Sequence, residues 1–425
     1  AVYAITGVFL VFNCKSQEEM TNGLPYETIN PIHLKEKDMA GHPIRKIKQN
    51  DSRPSLRASL LFAGIAGLIV LLLLFFRAIA FQNPAVADFY SRHIFELLAS
   101  IWTWPISLLP FSVTEAFVVI GPFILIGLFI YSIIRLVKTN EHKGRRILRV
   151  CLWVLGVVFI LLSLFLLLHG LNYARSPLQQ AMDLSVRRYS VDELEDAARI
   201  LGKAASQVRD PLREDESGVL VIHSLPSLWR EAESGWDAAS SHYPALQSRV
   251  RAKPKGVLLS RYWSYTNIVG LYMPLLVEPN VHIDQPDFMI PVTAAHEMAH
   301  ARGFAREGDC DFAAVLSCMY HPEPVWQYSG LISSWKSIAR KLWEEDPSRY
   351  YQVYRESLSP AVIRDLEAES SYWKAFDTPI AQLSETINDQ YLKANREEEG
   401  VKSYGGVVDL LLAWIETEEA LLLFQ

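Results

Sequence analysis

The chain has few cysteines and no excess of basic side chains. It contains four cysteines in 425 residues, too few and too scattered for a disulfide scaffold: Cys14, Cys151, Cys310 and Cys318. Cys310 and Cys318 are predicted to share one helix, which separates them by roughly 12 Å at a rise of about 1.5 Å per residue, beyond disulfide reach. The formal net charge of -6 argues against nucleic acid as a partner. The fold must therefore rest on packing.

An internal repeat, a low-complexity tract and a secretory signal are also missing. The apolar start over residues 1–13 is too short to span a bilayer and lacks the basic beginning of a signal peptide. Residues 35–57 are polar, basic and interrupted by prolines, as in segments that cannot bury enough apolar surface to fold. We therefore predict that residues 1–57 form a flexible cytoplasmic tail.

Three long apolar runs follow this tail. They are bounded by charged residues, namely Arg57 and Arg77 for the first, Glu115 and Arg135 for the second, and Arg149 at the start of the third. As a helix, each run is long enough to cross a hydrocarbon core of about 30 Å, and buried helices of soluble proteins seldom stay uncharged for this length. We predict a membrane domain with three transmembrane helices over residues 58–174.

Basic residues collect at one end of these runs. Several precede the first run and fill the loop between the second and the third, whereas the loop between the first and second carries mainly Arg77 and Arg92. The positive-inside tendency then places the amino terminus in the cytoplasm and everything after the third run outside. In the outer loop, the aromatic stretch 89–111 could lie flat in the membrane interface.

The sequence beyond the third run has the mixed charge of a globular domain, which we assign to residues 175–425. Ser190 and Glu193 form a capping-box start for a helix. Aromatic and β-branched residues with Gly and Pro punctuation over residues 257–283 predict strands or a hairpin, and the pattern after residue 291 is mostly helical. The predicted fold class is a mainly α membrane protein in which three transmembrane helices precede an α+β extracytoplasmic domain.

One short motif in the helical part carries chemistry: His296-Glu297-Met298-Ala299-His300. His296 and His300 are four residues apart, so on a helix both imidazoles leave the same face and can bind one ion. A divalent cation with imidazole ligands is most simply zinc. Glu297 adjoins the first ligand, where its carboxylate can take a proton from a water that the metal activates. The motif would thus supply two zinc ligands and a catalytic base.

A chance match to this motif is the alternative interpretation. With 11 histidines in the chain, such matches arise in on the order of a few per cent of sequences. The flanking residues favour a helix, because Pro291 suits its first turn and Gly303 suits a left-handed C-terminal cap. We therefore interpret the motif as a metal site.

The residues after Gly303 resemble the second zinc helix of the gluzincin peptidases, the broad thermolysin-like group. In that helix a ligand Glu is followed four residues later by an acidic residue that hydrogen-bonds a zinc histidine. The resemblance implies that Glu307 is the third zinc ligand and that Asp311 orients a histidine from one helical turn away. Asp309 or Asp311 could replace Glu307 as the ligand. Arg306 stands where the metzincin pattern would have its third ligand, so that class is set aside.

The wider sequence resembles a bacterial membrane family catalogued as domain of unknown function thirty-eight ten. The resemblance covers most of the chain from the first apolar run onward and rests on the exit Asn172-Tyr173-Ala174-Arg175, the core from His296 to Glu307, and the motifs at 388–395 and 400–405. It implies a zincin-like domain outside the bacterial plasma membrane and supplies no substrate. Tyr391 and Tyr404 of the terminal motifs could contact an oxyanion or the substrate, with capping and packing as the alternative roles.

Together these features predict a membrane-anchored zinc metallopeptidase that acts on peptides or proteins of the cell envelope. Zinc held by His296, His300 and Glu307 would activate a water, and Glu297 would deprotonate it for attack on a peptide carbonyl. The strand candidate within residues 270–283 could offer an edge to an extended peptide. Two alternatives stay open: a membrane receptor or scaffold with a structural zinc site, and a zinc amidase that acts on cell-wall material. The sequence leaves the oligomeric state unknown.

Overall fold

The structure, a computed structural model, describes residues 55–138, 143–395, 397 and 406–424. It is mainly helical, with one small sheet. Of the predicted tail, only residues 55–57 belong to the described part of the chain.

The helices that begin before residue 190 are α1 (Leu56–Gln82), α2 (Pro84–Phe89), α3 (Glu96–Ser107), α4 (Val113–Val137), α5 (Lys143–Phe165) and α6 (Leu178–Ala181). Those that follow are α7 (Val191–Arg209), α8 (Leu225–His242), α9 (Arg261–Ser264), α10 (Ile290–Ala301), α11 (Glu307–Met319), α12 (Pro324–Glu345), α13 (Pro347–Ser357), α14 (Pro360–Lys374), α15 (Pro379–Ala394), α16 (Val407–Ile415) and α17 (Glu418–Leu423). The strands are β1 (Lys255–Val257), β2 (Gly270–Met273) and β3 (Glu278–His282). Two π-helical turns and three 3-10 turns complete the described elements: Tyr90–Phe95, Leu166–Gly170, Asn172–Ala174, Pro244–Leu246 and Asp287–Met289.

Three apolar helices are long enough to cross a membrane: α1, α4, and α5 with its continuation to Ala174. About 20 helical residues cover a hydrocarbon core, and each of these helices exceeds that length. The prediction of three such helices is confirmed. α1 packs along α5, where the Phe62 and Trp153 rings stack with centroids 4.3 Å apart. The apolar side chains of α4 are exposed along nearly its whole length, as lipid-facing side chains would be.

A helical segment, residues 84–107, connects α1 to α4. One face of it is buried, with Phe95, Ala99 and Thr103 pointing inward at helical spacing. The Thr103 hydroxyl donates a hydrogen bond to the Val277 carbonyl at 3.1 Å. The connection between the first two apolar helices is therefore docked on the part of the chain that carries the sheet.

Most of the chain after residue 175 packs around one hydrophobic core. α7 lies along α12 and α13, and its buried residues recur at helical spacing: Leu194, Ala197, Ala198, Leu201 and Ala205. Ser190 and Glu193 form the predicted capping box at its start. A buried ion pair joins α7 to α14, since Arg209 Nε donates to Asp365 Oδ2 at 2.6 Å.

The centre of this core is made by α10, α11 and α12, which pack against one another. Both Cys310 and Cys318 lie buried on α11 as free thiols. The prediction that they share a helix and form no disulfide is confirmed.

The small sheet has the strand order β1-β3-β2. β2 and β3 form an antiparallel hairpin, which confirms the prediction for residues 257–283, although Arg261–Ser264 within that stretch is helical. The carboxylate of Glu278 on β3 accepts hydrogen bonds from the backbone N–H groups of Val113 and Thr114. A buried acid thus caps the start of α4, where the helix dipole favours negative charge.

A second hydrophobic cluster joins the apolar helices to the remainder of the protein. Its members come from both sides of residue 175: Tyr90, Phe95, Ala99, Leu168, Leu171, Val250, Ala252, Tyr272, Val277 and Ala301. The Tyr272 hydroxyl also donates to the Leu168 carbonyl at 3.2 Å. The end of the third apolar helix and the sheet therefore share one packed interior.

Candidate metal centre

The motif helix α10 is almost entirely buried and ends where the sequence predicts. Pro291 lies in its first turn, where a missing N–H costs no hydrogen bond. Beyond its end Gly303 has φ +89°, a left-handed conformation that favours glycine. A Cβ at Gly303 would also lie 2.8 Å from the Phe95 ring. Glycine is therefore needed there for conformation and for space.

His296 and His300 leave the same face of α10, with ring centroids 5.0 Å apart. Glu307 approaches them from the first turn of α11: its Oε2 lies 3.2 Å from His296 Nε2 and 3.6 Å from His300 Nε2. One potential ligand atom from each residue lies within 4.8 Å of the others. Ligand atoms around a tetrahedral zinc are about 3.3 Å apart, given metal–ligand distances of about 2.0–2.1 Å. The donor separations therefore fit a single small cation.

The ring nitrogens that face away from this group are held by protein atoms. His296 Nδ1 pairs with Asp311 Oδ1 at 2.7 Å, and His300 Nδ1 lies 3.1 Å from the Phe304 carbonyl oxygen. A proton on each Nδ1 leaves Nε2 with its lone pair directed at Glu307, as metal-binding histidines require. These partners orient both imidazoles for metal binding.

The three acidic candidates for the third ligand occupy different places. Glu307 faces the two histidines, and Asp311 pairs with His296 from outside the group. Asp309 accepts a hydrogen bond from the Leu178 backbone N–H and pairs with Arg306. Of these acids, the structure brings Glu307 into the donor set.

The electrostatics of the group favour a positive charge at its centre. Burial opposes a charge on His296, but the nearby charge of Asp311 and its hydrogen bond outweigh burial and raise the pKa of His296 well above its usual range. Burial would raise the pKa of Glu307, but attraction to His300 and hydrogen bonds from both histidines hold it well below its usual range. Either protons or a divalent cation would satisfy this arrangement, and two imidazoles with one carboxylate are a donor set for the latter.

Glu297 lies buried beside the edge strand. A Cβ at Gly270 would be 2.3 Å from the Glu297 Oε1 atom, so glycine is needed to admit the carboxylate. Burial raises the pKa of Glu297 to about 7, partly offset by attraction to His296 and His300. The backbone N–H of Tyr272 is directed at the same carboxylate. The predicted base is therefore close to the histidines and fixed against β2.

A cleft of about 2350 Å³ opens over the group. Its lining includes the edge strand β2, helix α15 with Tyr391, and the C-terminal half of α12. Burial raises the pKa of Tyr391, in part countered by the Tyr173 hydroxyl. Tyr391 thus lies in the cleft near His296, His300 and Glu307, which together are called the metal group below. Tyr404, the other predicted contact, lies outside the described residues.

His169, at the end of the third apolar helix, lines the cleft beside the two histidines of the motif. The His169 ring is buried and meets the His300 ring edge to face, with centroids 5.5 Å apart. Its Nδ1 atom is buried and has no hydrogen-bond partner in the described part of the chain. Tyr173 lies one turn later on the same face, with ring centroids 5.2 Å from His169. In the sequence, the spacing of four residues between His169 and Tyr173 is the signal that could have indicated that both side chains line the same side of the site.

A family model described as "Protein of unknown function (DUF3810)" matches residues 90–412. The chain belongs to this family. The matched stretch begins within the segment between the first two apolar helices. It includes His296, His300 and Glu307, all of α15 and most of α16. The resemblance expected from the sequence is thereby confirmed at the level of the family. No curated protein and no solved structure matches the chain.

Proposed function

We propose that this DUF3810 member is a membrane-anchored, zinc-dependent hydrolase that cleaves peptide bonds. The observation that carries the proposal is the convergence of His296, His300 and Glu307 at tetrahedral ligand spacing, with the carboxylate of Glu297 next to them in an open cleft. Structural zinc sites have four protein ligands, whereas catalytic sites have three and an open position. Three donors facing a cleft favour catalysis over a structural role.

The proposed metal is zinc. Two imidazole nitrogens and one carboxylate oxygen are the donor set of the thermolysin type of catalytic site. A zinc ion bound there would act as a Lewis acid that polarises a carbonyl and makes a water more acidic.

The chain's own residues have separate tasks in this proposal. Glu297 takes a proton from the attacking water and returns it to the leaving amide nitrogen. Asp311 and the Phe304 carbonyl keep the two imidazoles in the tautomer that binds metal. In this proposal Tyr391, which lines the cleft, donates a hydrogen bond to the carbonyl oxygen as it gains charge, and the Tyr173 hydroxyl interacts with that of Tyr391. The His169 ring packs against the rings of both Tyr173 and His300.

A polypeptide substrate is supported by the form of the cleft. β2 is the edge strand of the sheet and lines the cleft from Gly270 to Tyr272, beside Glu297. An extended peptide can add to such an edge through backbone hydrogen bonds. This pairing would place a peptide carbonyl next to the metal group without requiring a particular side chain.

The test uses the full chain purified in detergent or lipid nanodiscs. We expect about one zinc per chain by elemental analysis, and hydrolysis of members of a peptide library. Glu297→Gln should retain the metal and lose at least about 100-fold in kcat, since general base catalysis contributes roughly 10²–10⁴. The exposed Glu216→Gln is the matched control and should behave as wild type.

Two results would contradict the proposal. Bound zinc without hydrolysis of any library peptide would favour a structural metal in a receptor or scaffold. Hydrolysis of cell-wall amides with no action on peptides would assign the same site to an amidase.

A further inference from the structure

The three apolar helices carry polar markers at a common spacing. Arg57 and Arg77, Glu115 and Arg135, and Arg149 and His169 are each twenty residues apart. At about 1.5 Å per residue this is about 30 Å, the thickness of a hydrocarbon core. The markers at one end of the helices, Arg77, Glu115 and His169, therefore define one boundary of the membrane.

Each marker at this boundary contacts the part of the chain that carries the metal group. Arg77 Nη2 donates to Asn395 Oδ1 at 3.4 Å, at the end of the cleft helix α15. The Glu115 carboxylate accepts hydrogen bonds from the backbone N–H groups of Leu258 and Leu259 at 3.0 and 2.7 Å. The third marker, His169, packs on His300 itself. Three separate contacts therefore hold this boundary against the part of the chain that carries the metal group, and one of them is made to His300 of that group.

The exposed face of helix α3 also indicates where the membrane boundary lies. Opposite its buried face it presents a continuous apolar stripe, formed by Leu97, Ile101, Trp104 and, just beyond its end, Leu108. These side chains are 58%, 64%, 68% and 66% exposed in the described structure. Their spacing puts them on one helix face. Because α3 connects two membrane-crossing helices, the occupant that fits this stripe is the lipid bilayer.

The buried face of α3 sets the distance from lipid to the metal group. The Phe95 ring, at the start of this face, contacts Gly303, which follows the motif helix α10. One helix is about 10 Å thick. Gly303 is three residues beyond His300, so the metal group lies within about two helix diameters, roughly 20 Å, of lipid.

The loop before α9 and α9 itself also reach this level. Glu115 at the start of α4 holds this loop at the membrane boundary through its hydrogen bonds to Leu258 and Leu259. The Leu258 side chain is 78% exposed there, and that of Tyr262 is 70% exposed. Exposed leucine and tyrosine side chains at such a level are typical of interfacial anchors. The segment that leads into the cleft-lining residues 266–272 is therefore expected to touch the bilayer.

We propose that the metal centre opens at the membrane surface and takes a polypeptide segment directly next to that segment's own membrane anchor. This assignment of the substrate class rests on the proposed peptidase function. An extended chain advances about 3.3 Å per residue, so a site about 10–20 Å from lipid reaches bonds within roughly the first three to six residues after an anchor. Anchoring also keeps the substrate at a high effective concentration beside the cleft.

The position of the cleft can be measured without any enzyme activity. A fluorophore is attached to Leu258→Cys of the full chain in lipid vesicles, with Cys14 and Cys151 replaced by alanine to leave no other reactive thiol outside the core. Lipids brominated near the headgroup end of the acyl chain should reduce its fluorescence at least about twofold. The control is Arg355→Cys, exposed on α13, which packs on α7 and α12 and should not be quenched. Equal fluorescence of both labels in bromolipid would overturn the membrane-surface position.

The substrate class is tested with anchored substrates in the same vesicles. A library of segments of about 12 residues is fused to a transmembrane helix, either directly or through a helical Glu-Ala-Ala-Ala-Lys spacer of about 20 residues that raises it by about 30 Å. We expect direct fusions to be cleaved at least tenfold faster than raised ones. An acyl-anchored version of the direct fusion distinguishes a lipid anchor from a helix anchor, and cleavage of either supports the proposal.

The failures of the two proposals are distinguishable. Equal cleavage of raised and direct fusions, abolished in both by Glu297→Gln, would overturn the anchored-substrate class and leave the peptidase function intact. Absence of cleavage of any fusion or soluble library peptide by the zinc-loaded protein would overturn both. Quenching at Leu258 would then still show that the loop before α9 lies at the membrane surface.

Discussion

In the proposed zinc site, Asp311 determines how tightly His296 can hold the metal. Its carboxylate fixes the imidazole ring through Nδ1 and makes Nε2 a stronger donor. Asp311→Asn should therefore weaken zinc binding about 10–100-fold, the range seen for such outer partners of metal ligands. The measurement is the apparent zinc affinity from competition with a chelator. Asp196→Asn, exposed on α7, is the matched control, and the same loss in both variants would contradict a specific role for Asp311.

His169 offers a buried nitrogen to whatever occupies the cleft. Because its Nδ1 has no partner in the described structure and its ring faces His300, we expect it to contact bound substrate. His169→Gln should lower kcat at least about tenfold, the effect of losing about 1.4 kcal/mol of interaction in the transition state. Zinc content should be unchanged, because His169 is not among the converging donors. Loss of zinc from the variant would instead make His169 a ligand.

At the residue scale, the sequence predicts the metal group better than the walls around it. His296, Glu297 and His300 follow from helical spacing alone, and Glu307 follows from a resemblance in the next helix. His169 could not be found in the same way, because residues more than a hundred positions apart meet only through tertiary packing. The roles of all these residues in catalysis stay predictions until they are tested.

The close contact between β2 and α10 depends on glycine at position 270, which has no Cβ. At Gly270 an added Cβ would lie 2.3 Å from Glu297 Oε1, so Gly270→Ala must displace the carboxylate or the strand. We expect at least about tenfold lower kcat and a loss of stability of about 1–3 kcal/mol, typical of overpacking. Hydrolysis assays and thermal unfolding provide the measurements.

The matched substitution is Gly144→Ala, at the start of α5, where a Cβ would meet no atom within 4 Å. It should leave activity unchanged. Equal activity of Gly270→Ala and Gly144→Ala would show that the strand does not constrain Glu297.

The sequence predicts the helices and the hairpin from local signals of different strength. Pro291 and Gly303 mark the ends of the motif helix, and Ser190 with Glu193 marks the start of α7, because capping acts through the nearest turn. The helical turn α9 inside the predicted hairpin region was missed, since its aromatic residues are equally common in strands. The docking of α3 against the sheet was also missed, because it depends on contacts such as Thr103 with Val277.

Two buried histidines, His282 and His321, should each contribute a loss of stability as the pH falls below about 6.5. Burial lowers the pKa of His282 to about 4, partly countered by Asp284, and burial also lowers the pKa of His321. In the unfolded chain a histidine gains a proton near pH 6.5. Between that pH and the folded pKa the unfolded chain binds more protons, so the unfolding free energy falls by up to about 1.4 kcal/mol per pH unit for each such histidine.

Thermal unfolding at pH 7.5, 6 and 5 measures this dependence. His282→Gln should reduce the slope of the melting temperature with pH, because glutamine does not titrate. An unchanged slope would mean that His282 is as readily protonated in the folded protein as in the unfolded chain.

At the scale of the whole molecule, the three apolar helices could be predicted because gaps in charge as long as a bilayer are rare in other proteins. The boundary between residues 174 and 175 was placed by a change in composition. Composition indicates which side chains prefer lipid or water. It does not predict how the apolar helices pack against the residues after 175.

The interlocking limits how the protein can be dissected. A soluble fragment that starts at residue 175 would remove Leu168, Leu171 and Phe95 from the cluster they share with Tyr272 and Ala301, and would leave Glu278 without the helix start that it caps. Such a fragment would expose an apolar underside and lack one wall of its cleft. Crystallisation and inhibitor screening should therefore begin from the intact, lipid-supported chain rather than from a fragment without the apolar helices.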